Sequence, residues 1–137
     1  MDSIGKNIGI LCRQLNTYLN HSLEQTDISP TELMLLASLR NSDGRTQEDI
    51  SKDFCIDKAA VARTVQSLER KELVSRKTDI NDKRNKRIYV TDTVDQYNSL
   101  LENIQRQWVD TAFNNISEDD LEVFAKVLRS VVGNIRS

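Results

Sequence analysis

The chain has 137 residues, which is enough for one domain or for one compact subunit of an oligomer. Hydrophobic residues make up 38% and charged residues 29% of it, typical of a soluble globular protein but low in apolar content for a self-sufficient monomer. No apolar run is long enough for a transmembrane helix, and the N-terminus lacks the pattern of a secretory signal. We therefore expect a cytoplasmic protein without a membrane partner.

Few residue types suited to catalysis or metal binding are present. Cys12 and Cys55 are too far apart in the chain for a zinc motif, and two cysteines do not make a disulfide framework. A single histidine, His21, excludes multi-histidine metal sites. No nucleophile–base pair and no phosphate-binding loop is visible, so we expect neither an enzyme nor a bound cofactor or metal. Four glycines and one proline favour a mainly helical protein.

Charge is unevenly distributed along the chain, whose overall net charge is −2. Residues 58–90 hold ten basic and four acidic residues, a net charge of +6, while the remainder holds nine basic and 17 acidic residues, or −8. Because nucleic acid responds to the local field, the basic segment is a candidate contact with DNA or RNA. A solvated charged face is the alternative that charge alone leaves open.

Apolar spacing and capping signals predict four helices before residue 72. A stripe at helical period predicts a first helix of about 22 residues, made of Ile4, Ile8, Leu11, Cys12, Leu15, Leu19 and Leu23. Ser29, Pro30 and Glu32 form a capping box with proline at the first helical position, which begins the second helix. Thr46 with Asp49 begins a short third helix.

The fourth helix and the segment after it differ in period. Asp57 is predicted to cap a helix over residues 58–71 that buries Val61, Val65 and Leu68. Residues 73–77 and 86–91 are then predicted to form two strands of a hairpin with a polar loop, since the second is rich in β-branched and aromatic residues. A long helix starting at Thr91 or Asp92, and a last helix capped by Ser117, complete the chain.

This order of elements predicts a mainly α fold with a winged helix-turn-helix at residues 29–91. The flanking helices, at residues 1–25 and 92–137, are longer than that unit needs, and their apolar stripes require a partner surface. Packing into a two-fold bundle with a second copy is the economical solution. The alternative is that they fold over their own core. All of residues 1–137 would then form one subunit of a homodimer.

The hairpin and the fourth helix carry a family resemblance. Residues 82–87 read Asp-Lys-Arg-Asn-Lys-Arg, a D-x-R-x-x-R signature, and follow a helix and strand at residues 57–76. Together they resemble the recognition helix and wing of MarR-type (multiple antibiotic resistance regulator) transcriptional regulators. The resemblance implies a sequence-specific DNA-binding regulator, a homodimeric repressor on an inverted repeat. The sequence departs from that family at Glu72, where glycine is usual, and at residues 92–94.

A helix of this kind fits the major groove of double-stranded DNA, where each base pair has a distinct pattern of donors and acceptors. We expect the N-terminal half of the fourth helix to reach base edges, with Gln66 next and Arg70 also on a face away from the core. The base-contacting candidates are Lys58, Ala59, Ala62 and Arg63. An alternative for Arg63 is that it holds only a phosphate or an internal carboxylate.

The wing, residues 78–87, is expected to contact the minor groove. Arg84 is the residue we expect to enter it, because narrow A·T tracts concentrate negative potential. Asp82 either orients Arg84 or pairs with Arg87, and Arg87 is expected to be structural. The candidates for phosphate contacts are Arg76, Lys77, Lys83 and Lys86.

The family resemblance also implies a switch, either a small aromatic or phenolic ligand or the oxidation of a thiol. Its pocket would lie between the first, second and fifth helices, near Tyr18, His21, Leu36 and Trp108, although all four also suit ordinary core or surface positions. Cys12 matches loosely the helix that bears a sensing thiol in one branch of the family, and is inert if buried among apolar groups. Cys55 suits either sensing or packing beside Phe54.

A second class of function remains open at this point. A winged helix that binds protein instead of DNA would present an acidic or apolar recognition face, and the +6 segment argues against that.

Overall fold

The computed structural model describes residues 2–136, which contain six α-helices, three β-strands and one 3₁₀ helix. In chain order these are α1 (Asp2–Leu23), α2 (Pro30–Asn41), β1 (Arg45–Thr46), α3 (Gln47–Phe54), α4 (Lys58–Arg70), β2 (Val74–Thr78), β3 (Lys86–Val90), the 3₁₀ helix (Asp92–Tyr97), α5 (Asn98–Ala112) and α6 (Glu118–Arg136). The mainly α winged helix-turn-helix predicted from the sequence is confirmed.

Polar side chains begin the helices where the sequence predicts. The hydroxyl of Ser29 accepts a hydrogen bond from the Glu32 N–H at 3.1 Å, and the Glu32 carboxylate accepts one from the Ser29 N–H at 3.0 Å. Thr46 and Asp49 form the same reciprocal box at α3. These bonds satisfy N–H groups that have no partner within the helix. Side-chain caps also begin α4 at Asp57 and α6 at Ser117.

The sheet has a third strand that the sequence analysis missed. Its strand order is β1-β3-β2, all antiparallel, with Val74 opposite Val90 and Thr78 opposite Lys86 in the wing hairpin. β1 has two residues, too few to show a period in the sequence. It exists because Arg45 and Thr46 pair with the central strand β3, more than forty positions later in the chain.

Several boundaries differ from the prediction, among them the last residues of β2 and β3, Thr78 and Val90. β2 begins at Val74, one residue later than expected. The segment after the hairpin is not α-helical at once: it makes a 3₁₀ turn before α5 begins at Asn98. There the Val94 N–H donates to the Thr91 carbonyl, three residues back, and Val94 is buried against the core.

The buried core lies in the winged-helix lobe. Its fully buried side chains come from α2, α3, α4, β3 and the residue before β2, and include Leu36, Leu39, Ile50, Val65, Leu68, Leu73 and Ile88. In contrast, α6 has no buried residue, and α1 buries only Leu19 and Leu23, near its end. None of the helices described is long and apolar enough to cross a membrane.

Candidate nucleic-acid interface

α4 separates a buried face from an exposed polar face. Val61, Val65 and Leu68 are buried as predicted. The remaining faces carry the exposed Lys58, Ala59, Arg63, Gln66 and Arg70, and the half-buried Ala62. Within residues 2–136 no ion pair engages Arg63, so the internal-carboxylate alternative finds no partner there. The outward face therefore offers cationic, amide and methyl groups together.

The turn after α4 leads directly into the wing. The Leu73 N–H donates to the Leu68 carbonyl at 2.9 Å and the Glu72 N–H to the Glu69 carbonyl at 3.0 Å, the paired bonds of a Schellman motif. Glu72 takes φ of 62°, the left-handed conformation for which glycine is usual. The departure from glycine at this position does not change the turn: Glu72 itself adopts the left-handed conformation, held by the two hydrogen bonds.

Arg76 on β2 is tied to α4 by an ion pair. Its Nη2 donates to Glu69 Oε1 at 2.8 Å, and its Nε donates to Glu69 Oε2 at 3.2 Å. The hydrogen bond from Arg76 lowers the pKa of Glu69, and the same bond raises the pKa of Arg76. Arg76, a candidate for a phosphate contact, is therefore already paired with a carboxylate of the same chain.

At the wing tip, Asp82 contacts Arg84, the first of the two arrangements foreseen for it. Asp82 Oδ1 accepts a hydrogen bond from the Arg84 N–H at 3.0 Å and lies 3.5 Å from the Arg84 Nε. Its Oδ2 accepts one from the Asn85 amide at 3.2 Å. The Arg84 side chain is 94% exposed. Its cation therefore projects from a backbone that Asp82 holds.

At the wing base, Arg87 has a partner that the sequence analysis missed. Its Nη2 lies 3.2 Å from Asp79 Oδ2, and its Nη1 donates to the Gly44 carbonyl at 2.8 Å. The structure therefore places Arg87 at the junction of the wing and the turn before β1. The sequence contained a signal for this pair, because Asp79, the first residue after β2, is an acidic residue in a basic hairpin.

The other basic residues of the wing surround these two pairs. Lys83 and Lys86 are exposed, and the Lys77 Nζ lies 5.0 Å from the centroid of the Tyr89 ring. A polar groove of about 230 Å³ runs between the wing and the start of α3. It is lined by Thr46, Gln47, Glu48, Arg76, Arg84, Asn85 and Lys86. The α3 residues of this groove were not among the predicted contacts.

A helix with a polar outer face, followed by a basic hairpin, is the arrangement on which the comparison with known proteins bears. Residues 28–86 match the model of the MarR family. This segment of the chain is similar to the MarR family. The match covers the lobe from the end of the α1–α2 loop to the first residue of β3.

Solved structures extend the MarR-type likeness to nearly the whole chain. A MarR transcriptional regulator from Methanosarcina mazei Go1 is 26% identical, with a TM-score of 0.86 over 98% of this chain and 96% of that one. The transcriptional regulator SlyA is 22% identical, with a TM-score of 0.85 over 97% and 94%. A MarR family regulator from Listeria monocytogenes, solved with a 26mer DNA, is 23% identical, with a TM-score of 0.89 over 99% and 91%.

A half-buried ion pair holds α4 of this MarR-type lobe against α2. Lys71 donates to both carboxylate oxygens of Glu32, at 2.8 and 2.9 Å, and also to the Asp27 carbonyl. Burial raises the pKa of Glu32, but hydrogen bonds from Lys71, the Ser29 backbone and Ser67 outweigh it, so the net pKa is lowered. Glu32, the second member of the capping box of α2, thus also anchors the C-terminal end of α4.

An apolar cavity of about 240 Å³ lies between α1, α2 and α5 of the MarR-type fold. Tyr18 and Trp108 line it, with their ring centroids 5.3 Å apart, and the Tyr18 hydroxyl donates to the Ile104 carbonyl at 2.6 Å. His21 is exposed beside Glu24, and Leu36 is fully buried, so neither lines this cavity.

Both thiols are free and exposed in the single chain. Cys12 lies on the exposed part of the apolar stripe of α1, and Cys55 caps the C-terminus of α3 with φ of 54°. Neither Cys12 nor Cys55 lines the cavity between α1, α2 and α5.

Proposed function

We propose that the protein is a homodimeric, sequence-specific DNA-binding transcriptional regulator. One observation carries this proposal: the exposed face of α4 presents Lys58, Arg63 and Gln66 beside a wing whose Arg84 is exposed. Much of the basic charge of residues 58–90 is therefore exposed, although Lys71, Arg76 and Arg87 pair with carboxylates of the same chain.

The proposed reading of sequence occurs in the major groove. An α-helix fits that groove, and the arginine and glutamine side chains of α4 match guanine and adenine edges. Ala59 and Ala62 are short enough to contact thymine methyl groups. Lys58, at the first turn of α4, would lie near base edges with them, and Arg70, at the last turn, suits a phosphate.

The wing would contact the adjacent minor groove. Arg84 extends from a tip that Asp82 holds, and a narrow A·T groove attracts an arginine by its negative potential. Lys83, Lys86 and Lys77 add phosphate contacts around it. If each subunit neutralises about four phosphates, the dimer's log affinity falls against log salt with a slope of roughly −7.

The exposed apolar surface supports the homodimer. The chain exposes 9822 Å², whereas a compact monomer of 15.7 kDa exposes about 7,300 Å², an excess of about 2,500 Å². That excess is in the range of permanent interfaces. It is concentrated on α1 and α6, where Ile4, Ile8, Phe124, Val127, Leu128 and Val131 are exposed. Two-fold symmetry would place two α4 helices about 10 base pairs apart on an inverted repeat.

Repression and its release belong to the same proposal. A dimer bound over a promoter would exclude the transcription machinery. The cavity between α1, α2 and α5 has the size and apolar walls for a small aromatic ligand, with the Tyr18 and Trp108 rings in its wall. A DNA-binding regulator works where the DNA is, which is why a cytoplasmic location is part of the proposal.

The test is selection of bound fragments from sheared genomic DNA of the source organism at near-physiological salt, followed by sequencing. We expect one inverted repeat with half-sites about 10 base pairs apart, and its loss in the Arg84→Ala variant. Arg106→Ala on α5 removes the same charge from a helix outside the lobe and is the matched control. Recovery of no fragment by the wild-type protein, or equal recovery by Arg84→Ala, would contradict the proposal.

A further inference from the structure

Asp79 is an acidic side chain held inside the most basic part of the chain. Its side chain is 12% exposed, although it stands at the start of the wing loop, among Lys77, Lys83, Arg84 and Lys86. A carboxylate at this place opposes the attraction of the wing to a polyanion, and its partial burial costs solvation. Both effects are unfavourable unless its contacts do something that the wing requires.

The contacts of Asp79 determine the shape of the loop. Its N–H donates to the Asn85 carbonyl at 2.9 Å, which closes the loop at the ends of the two strands. Its Oδ1 accepts from the Asn81 N–H at 3.0 Å, which is an Asx-turn. Asp82 repeats that turn with the Arg84 N–H. Two successive turns therefore lead from β2 to Arg84, and Asp79 begins the first.

The second carboxylate oxygen connects this loop to the lobe. Asp79 Oδ2 lies 3.2 Å from Arg87, and Arg87 donates to the Gly44 carbonyl at 2.8 Å. Arg87 lies on the central strand, opposite Lys77 of β2 and Thr46 of β1. Gly44 has φ of 77° and its N–H donates to the Ile88 carbonyl, so this turn is itself joined to β3. The path Asp79–Arg87–Gly44 thus links the wing loop to the turn that precedes α3.

We propose that Asp79 is a positioning residue for DNA recognition, which acts through Arg87 to hold the wing loop at the height and angle that places Arg84 in the minor groove. This inference rests on the proposed function and adds to it a residue that does not touch DNA. The inference predicts that neutralising Asp79 changes DNA affinity in the direction opposite to the usual one. Removing a negative charge from a DNA-binding surface ordinarily strengthens binding, whereas removing this one weakens specific binding.

The test compares Asp79→Asn with wild type on two duplexes, the inverted repeat recovered by selection and a version with G·C pairs replacing the A·T pairs under the wings. Asparagine still forms the Asx-turn but loses the ion pair. We expect affinity for the selected repeat to fall about tenfold, the scale of one lost specific contact. Affinity for the altered duplex should stay the same or rise about twofold, because the variant is less negative.

Two further variants show whether the effect passes through Arg87. Arg87→Gln should lose the same preference for the selected repeat, and adding Asp79→Asn to it should cause no further loss of preference. Asp92→Asn, which neutralises an exposed acid outside the wing, should affect both duplexes alike. Thermal unfolding by circular dichroism would check that every variant is folded at the temperature of the binding measurement.

The outcomes separate this inference from the function on which it rests. If wild type prefers the selected repeat and Asp79→Asn binds that repeat as tightly as wild type does, or more tightly, the positioning role is overturned and the DNA-binding function stands. An Asp79→Asn effect that adds fully to that of Arg87→Gln would also overturn it. Failure of the wild-type protein to prefer any duplex would overturn both.

Discussion

At the residue scale, the three non-glycine residues with positive φ lie at helix ends or in the loop between α5 and α6. Among the described residues these are Cys55, Glu72 and Asn115. Asparagine tolerates this conformation, but a glutamate with a Cβ atom is strained by about 1–2 kcal/mol. Glu72 keeps it because the Schellman hydrogen bonds and the buried Leu73 after it place the chain there. Its strain is the cost of the turn between recognition helix and wing.

Replacing Glu72 by glycine should therefore stabilise the protein. We expect Glu72→Gly to raise the free energy of unfolding by about 1 kcal/mol, since glycine takes positive φ without a Cβ clash. Urea denaturation followed by circular dichroism measures it. Glu72→Ala keeps the Cβ atom and is the control, expected to give no such gain. An equal effect of both variants would mean that the side chain, and not the backbone, is responsible.

Glu32 is a buried acidic residue that joins α2 to α4. Its carboxylate accepts hydrogen bonds from the Ser29 N–H and the Ser67 hydroxyl and pairs with Lys71 at the end of α4, with only 6% of the side chain exposed. These contacts place its pKa below the ordinary value of 4.5 in spite of its burial. A carboxyl whose pKa is lower when folded contributes stability above that ordinary value, and the contribution is lost as pH falls through the folded pKa.

Glu32→Gln should lower the free energy of unfolding and make it less dependent on pH. At pH 7 we expect a loss of about 2 kcal/mol, because Lys71 keeps its charge without its partner. The wild-type free energy of unfolding should decrease below a pH of about 5, and the variant should decrease less steeply. Some slope remains, since Asp49 and Glu69 also have lowered pKa values. Urea denaturation from pH 7 to pH 3 measures both effects.

An appropriate control is Glu48→Gln, which breaks the exposed pair of Glu48 with Lys52. An exposed pair of this kind contributes little, and we expect a change within about 0.5 kcal/mol. If the two variants were equally stable, the Glu32 network would not be holding α2 against α4.

At the element scale, β2 and α4 behave as one unit. The Glu69–Arg76 pair crosses from the last turn of α4 to the middle of β2, and the Schellman turn joins their ends. The distance between the recognition helix and the wing is therefore determined by contacts between the two elements. It follows that Arg76, although basic and near the proposed DNA, has a structural use that Lys86 lacks.

Salt dependence of DNA binding should distinguish these two cations. Lys86→Gln removes an exposed charge and should reduce the magnitude of the log–log slope by about 0.9 for each phosphate lost, or about 2 for the dimer. Arg76→Gln should change that slope less and lower the unfolding free energy more. The measurement is fluorescence anisotropy with the selected duplex over a salt series. A slope change for Arg76→Gln as large as that for Lys86→Gln would place Arg76 on a phosphate.

At the scale of the whole molecule, the chain consists of a well-packed lobe and two terminal helices whose apolar side chains are largely exposed. α6 is amphipathic over 19 residues, yet none of its side chains is buried. Phe124 meets Phe113, with ring centroids 5.8 Å apart, and Arg136 pairs with Asp53 of α3 at 2.9 Å. These contacts leave the apolar stripe of α6 open, which is the physical basis of the proposed dimer.

A charge in the middle of this stripe should separate the subunits. We expect Val131→Asp to convert a dimer into a monomer in analytical ultracentrifugation, because an aspartate buried in an apolar interface is strongly unfavourable. Arg129→Asp places the same side chain on the opposite face of α6 and should remain dimeric. The monomeric variant should show about half the salt slope of the dimer in DNA binding. A monomeric wild-type protein would contradict the prediction.

Local signals in the sequence were sufficient to predict most of the helices and the hairpin. Capping by Ser29, Thr46, Asp57 and Ser117 depends on residues within one turn of each other, and so does the burial pattern of α4. Several of the missed features depend on residues that are not neighbours in the chain. β1 requires β3, and the partners Glu32–Lys71 and Asp79–Arg87 become neighbours only when the lobe is folded.

The amino-acid sequence alone therefore determined the order of the elements, the buried face of the recognition helix, the basic wing and the family resemblance. All of these follow from periodicity, capping and short motifs, which act over a few residues. Tertiary structure decided which charges are used internally and which face outward. Arg76 and Arg84 look alike in the sequence, but one is paired with Glu69 and the other is exposed at the wing tip. The reason is physical: an ion pair depends on distance in space, which the chain acquires only when α4, β2 and β3 pack together.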